Sequence, residues 1–116
     1  MSDFLTVGKI LDSGDISYEP LEIPEWGGKV LLKSLSGEER DRVESLARRF
    51  SAGEIPGYSA EIAAMTVCDG NKKLLFADAD LPRLRKKSGA ILRKIFDAVD
   101  RQNLLTPNGI QDAAKN

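Results

Sequence analysis

The apolar positions of the chain change period several times, and each change marks an element. Phe4, Leu5, Val7, Ile10 and Leu11 gather on one helical face, with Ser2 before them as a cap and Gly14 after them as a stop, so the spacing predicts a short amphipathic helix within residues 1–15. Over residues 17–33 the period shortens. Tyr18, Leu21 and Ile23 are interspersed with acidic residues, and Pro20 and Pro24, which lack an N–H, confine that strand to an edge. After "WGG", which permits the positive φ of a tight connection, "KVLLK" reads as the second strand of a small β-hairpin. Ser36 and Glu39 have capping-box spacing. Val43, Leu46, Ala47 and Phe50 then recur at i, i+3, i+4 and i+7 until Gly53 and Pro56 end that helix.

In the second half, Ser59 is placed to cap a helix carrying Ile62, Ala63, Met65, Thr66 and Val67. Asp69-Gly70-Asn71 is a turn signal with apolar residues on both sides, predicting a short hairpin or a helix-to-strand turn. Asp78 or Asp80 is placed to cap a helical turn over residues 81–84, with Pro82 tolerated in its first turn. Ser88 opens the clearest helix, in which Ile91, Leu92, Ile95, Phe96 and Val99 share one face while Arg93, Lys94, Asp97 and Arg101 face away. Thr106-Pro107 opens a last short helix reaching Ala114. The predicted fold is α+β: one mainly helical domain over residues 1–116, with a hairpin at 17–33 packed against helices that fill 36–116.

Composition narrows the chemistry. The 116 residues are 41% hydrophobic and 30% charged, enough for one modest core but not for a core plus a deep substrate cavity. No run of about 18 apolar residues exists, and no basic region precedes the first apolar positions, so neither a membrane span nor a secretory signal is expected and the expected location is the cytoplasm. The chain has no histidine, which removes the commonest general base and metal ligand together; no catalytic residue, enzyme activity or cofactor is expected. Cys68, the single cysteine, reads as a small buried hydrophobe. Asp78 and Asp80 could approach a cation, but a metal site wants more oxygens, so helix capping is preferred and no metal is expected.

Charge is unevenly spread although the net value is −1. Residues 1–28 hold six carboxylates against Lys9, whereas residues 81–102 hold seven basic side chains against Asp97 and Asp100. This asymmetry favours head-to-tail contacts, within a chain or between copies, and weak self-association is expected with Glu22 and Glu25 on the acidic side and Arg83, Arg85, Lys86, Lys87, Arg93 and Lys94 on the basic side. The same cations, over residues 83–94, could serve a small nucleic-acid-binding or regulatory protein. Aromatics for base stacking are missing there apart from Phe96, which the periodicity sends to the core, so nucleic acid is the lesser reading. Trp26, the only tryptophan, sits at the hairpin turn, where its ring either folds over the inner face or meets a partner.

The segments "SDFLTVGKILDS", "YEPLEIPEWGGKVLLKSLSGEERDRV" and "VCDGNKKLLFADADLPRLRKKSGAILRKIFDAVDRQNLLT", with the ending "AAKN", resemble in order and layout the tail assembly chaperones of long-tailed, siphovirus-type bacteriophages and their prophages. "PEWGGKV" and the "LF" then Asp-x-Asp phrase carry the likeness most specifically. The resemblance implies a non-enzymatic chaperone in the host cytoplasm that coats the tape measure protein, helps recruit tail tube subunits and leaves before the virion matures. It also implies a longer form made by a −1 frameshift. Ala-Lys-Asn at residues 114–116 is compatible with the slippery heptamer A AAA AAC, so the gene is expected to carry that run, followed in the −1 frame by an added domain. On the same resemblance Trp26 is expected to serve the hairpin or a self-contact, helped by Val30 and Leu32.

Overall fold

A computed structural model of the protein describes residues 4–107 and 109–111. The elements run α1 Val7–Asp12, β1 Tyr18–Ile23, β2 Gly28–Lys33, α2 Gly37–Ser51, α3 Ser59–Thr66, β3 Val67–Cys68, α4 Leu81–Leu84 and α5 Gly89–Asn103. The expected α+β class is what is found. Ser2 and residues 114–116, invoked above for a cap and a frameshift signal, lie outside the described residues.

The hairpin forms where its prolines permit it. The sheet order is β1-β2-β3, so Pro20 sits on an edge strand, opposite Leu31, where its missing N–H costs little. Register sends Leu21, Ile23, Val30 and Leu32 to one face, and Ile23 and Leu32 are buried there. The opposite face carries Glu22 across from Lys29. The third strand is only Val67–Cys68, fully buried, paired with Leu32 and Leu31. It continues directly from α3, and a turn in which the Asp69 carboxylate accepts from the N–H groups of Asn71 and Lys73 brings Leu74 back to bridge Cys68. Both anticipated forms of this turn are therefore realised together.

The core gathers around α5, whose Ile91, Leu92, Ile95 and Val99 are buried along the face that the periodicity assigns. α3 packs against α5 and the sheet, and Val43 and Leu46 bring α2 into the same cluster. Burying such side chains contributes about 1.5–3 kcal/mol each before entropy is charged against them. Cys68 lies inside, and burial pushes its thiol pKa up, as befits a packing residue and not a nucleophile.

Several local expectations need correction. The first helix starts at Val7, capped by the Thr6 hydroxyl, which accepts from the Lys9 N–H at 3.2 Å. That helix has no buried residue, Leu11 being 76% exposed, and Phe4 ahead of it is 99% exposed. Tyr58, not Ser59, occupies the cap of α3, without a side-chain hydrogen bond. Phe50 is half exposed, because α2 has already left the core at its last turn, and its ring meets Tyr58 edge-on at 5.8 Å. Phe96 is partly buried, packed on the core and not inside it.

Candidate functional site

The two ends of the hairpin are built differently, and both differences begin in sequence. At the open end, β2 enters α2 through the anticipated capping box: Ser36 Oγ accepts from the Glu39 N–H, and Glu39 accepts from the Ser36 N–H. The same Glu39 carboxylate pairs with the Lys33 ammonium. Burial pushes the Glu39 carboxyl up, but the Lys33 and Ser36 hydrogen bonds outweigh it and hold its pKa below the ordinary carboxylate value. The end of α5 joins this network. Asn103 Oδ1 accepts from the Leu35 N–H at 2.9 Å. Arg40 donates to the carbonyls of Asn103 and Leu104 at 2.7 and 3.2 Å, satisfying groups that a helix C-terminus leaves orphaned. Beyond it, buried Asp100 accepts from both the N–H and the hydroxyl of Thr106. Gly109 approaches so closely that a Cβ there would lie 2.6 Å from the Asp100 carbonyl.

At the closed end the chain makes a 3₁₀ turn, Pro24–Trp26, ended by Gly27 at φ 83°, a conformation that favours glycine. This turn directs the Trp26 ring inward, half-buried against the core cluster. Facing it, Asp80 occupies the N-cap position of α4 but, contrary to the capping expected above, makes no side-chain cap hydrogen bond to that helix; its carboxylate reaches back to accept from the Ala77 N–H at 2.8 Å, closing the 3₁₀ turn Asp78–Asp80 that leads into α4, with Pro82 in its first turn. Between the turn and α4 lies an open groove of about 450 Å³. Trp26, Leu75, Phe76 and Leu84 give it an apolar lining, and Asp80, Arg83 and Lys87 complete it.

The structure brings together only part of the anticipated surface. Trp26, Arg83 and Lys87 share the groove, and Lys86, exposed, follows on the same turn. Glu25 lies 3.9 Å from Lys94 of the same chain, so this acidic-to-basic contact takes the intrachain form that the charge asymmetry allowed. Arg85 turns to Glu61 of α3 at 2.6 Å. Arg93 pairs with Asp97 on its own helix at 3.0 Å and stacks on the Phe96 ring. Glu22 stays apart on the outward sheet face. The sequence reading missed Leu75, Phe76 and Leu84 as lining residues. The run Leu74-Leu75-Phe76 carried a signal, because consecutive apolar residues at a chain reversal cannot all turn inward; Leu74 and Leu75 are about half exposed.

What this arrangement offers is adhesion, with apolar floor and cationic rim. Among the described residues no group of three or more histidine, cysteine, aspartate or glutamate side chains is gathered for a metal, and no helix is long and apolar enough to cross a membrane. No family model and no curated protein matches the sequence. Among solved structures, the bacteriophage HK97 tail assembly chaperone matches with a TM-score of 0.59 and 18% identity, over 80% of this chain and 88% of that one. The chain therefore shares the fold of a phage tail assembly chaperone, the class that its sequence resembles.

Proposed function

We propose that the protein is a tail assembly chaperone of a long-tailed phage or prophage: it binds the tape measure protein in the host cytoplasm, helps recruit tail tube subunits around it, and is absent from the finished virion. The observation that carries this reading is the shared fold with the HK97 tail assembly chaperone over most of both chains. Two physical features agree with it. The Trp26–Leu84 groove is apolar and open, as needed for a segment of helix laid side-on, and its rim charges would make such contact salt-sensitive and reversible. The role requires no catalysis and no cofactor. Weak self-association and a frameshift-extended form belong to the same proposal, the longer form adding a second module beyond the last helix.

The nucleic-acid alternative gains nothing from the geometry, since Arg85, Arg93 and Lys94 are each turned to a carboxylate of the same chain. The functional test is genetic. Deleting the gene from its phage and viewing lysates by electron microscopy should give capsids without tails, restored by the gene in trans; normal tails in the deletion would contradict the proposal.

A further inference from the structure

β1 is the outer strand of the sheet, and one side of its backbone is open. The sheet order is β1-β2-β3, and just before β1 the Ser17 carbonyl accepts from the Ser34 N–H at 2.8 Å. Antiparallel partners alternate between hydrogen-bonded and non-hydrogen-bonded pairs. With Ser17 bonded to Ser34, the register makes Glu19, Leu21 and Ile23 the β1 residues that bond to β2. Tyr18, Pro20 and Glu22 therefore turn their backbone groups away from the sheet, and Pro20, which has no N–H, stands at one of those positions. The free edge offers the N–H groups of Tyr18 and Glu22 and the carbonyls of all three. Pro20 and Glu22 are exposed, so another chain can reach it. Such a row is a template for an added strand.

Beside this edge two clefts open between β1 and α5. They hold about 300 and 430 Å³ and share Leu21, Ala98 and Arg101. A cavity of about 150 Å³ takes one benzene ring, so each cleft has room for a side chain. An added strand points alternate side chains to one face about 7 Å apart, and two of them would enter the two clefts. α5 runs antiparallel to β1: Gln102 donates to the carbonyl of Leu32, opposite Glu19, whereas Lys94 approaches Glu25 beyond the strand's other end. The cleft toward the hairpin tip sets Arg93, Lys94 and Arg101 against Asp97 and so favours a carboxylate, while the cleft toward Gln102 offers Leu21, Leu32 and Ala98 to an aliphatic group. A second β1 is a poor occupant, because it would bring the glutamates of both strands together and leave both prolines without a donor. We propose that β1 is a docking edge for an extended acidic segment of another protein, which adds antiparallel as a fourth strand, with a carboxylate residue in the cleft at Lys94 and, two residues later, an aliphatic one in the cleft at Leu32. These clefts share no lining residue with the Trp26 groove, and the inference does not rest on what that groove holds.

The test titrates a fluorescein-labelled peptide, Thr-Ser-Glu-Thr-Val-Thr-Ser, with the full chain and follows anisotropy, with amide hydrogen exchange by NMR as the second readout. Saturable binding with a Kd of about 100 µM or tighter is expected, and at saturation the amides of Tyr18 and Glu22 should exchange more slowly by about fivefold or more. N-methylating the Thr between Glu and Val removes the N–H that meets the Pro20 carbonyl and should abolish binding; N-methylating the Val, whose N–H points away from β1, should leave it intact. Arg101→Glu, at an exposed position, should weaken binding by about tenfold or more, and a peptide with Lys in place of Glu should recover it. A parent chain that fails to bind the peptide at millimolar concentration, equal binding of the two N-methylated peptides, or Tyr18 and Glu22 amides that gain protection with protein concentration alone, which would give the edge to a second copy, would each overturn the proposal.

Discussion

The open end of the hairpin and its closed end share two strands yet meet opposite needs. At the open end nearly every polar group finds a partner in the chain: Glu39 serves Lys33 and Ser36, Asn103 serves Leu35, and Arg40 closes α5. At the closed end the groove leaves apolar side chains facing water under a cationic rim. A satisfied network fixes shape, whereas an unsatisfied apolar groove advertises for a partner. On the proposed function, stability is concentrated at one end and binding at the other, and each substitution below is a way to break that division.

The largest effect should come from Leu32→Ala, which empties a site 2% exposed beneath α5. A cost of about 2–5 kcal/mol is expected in urea unfolding, without any specific change in binding. Trp26→Ala should cost less, about 1–2 kcal/mol, because the ring is only half-buried, and should weaken partner contact more than it lowers stability. If instead it unfolds the domain and leaves residual binding intact, the assignment of the two ends is reversed.

Glu39→Gln should cost about 1–2 kcal/mol near neutral pH through loss of the ion pair and part of the capping box. It also carries a pH signature. Because the folded protein holds this carboxyl below its ordinary value, its contribution is present above that value and is lost as pH falls through the folded pKa, from about pH 5 downward. The parent should lose stability over that interval, and the Gln variant should show a shallower acid limb in thermal melts. Smallest of all, Lys94→Ala should change stability by less than about 0.5 kcal/mol, since its contact with Glu25 is long and solvent-exposed.

The legibility of this molecule in its sequence follows the range of its interactions. The Ser36 capping box, the proline-bearing edge strand and the buried face of α5 were readable because the residues that decide them lie within one turn or one strand. The third strand was not, since Val67–Cys68 is too short to show a period and is defined by pairing with β2. Neither was the Arg40 cap on α5, which joins residues 63 apart in sequence. Charge partition was visible, but its geometry was not: Glu25 and Lys94 meet in one chain because α5 passes beside the hairpin tip. Trp26 was recognised as a turn residue whose ring either folds over the hairpin's inner face or meets a partner; it packs on the core, with part of the ring lining the groove.

The central claim is that the groove end serves tail assembly by holding a client. Its most direct test is to co-express the full chain with the tape measure protein of the same phage and measure how much tape measure stays soluble and co-purifies. The account predicts a soluble complex with the parent chain, lost with Leu75→Asp and unaffected by Lys94→Ala. A tape measure protein that remains insoluble beside the parent chain, or one equally well held by Leu75→Asp, would contradict it.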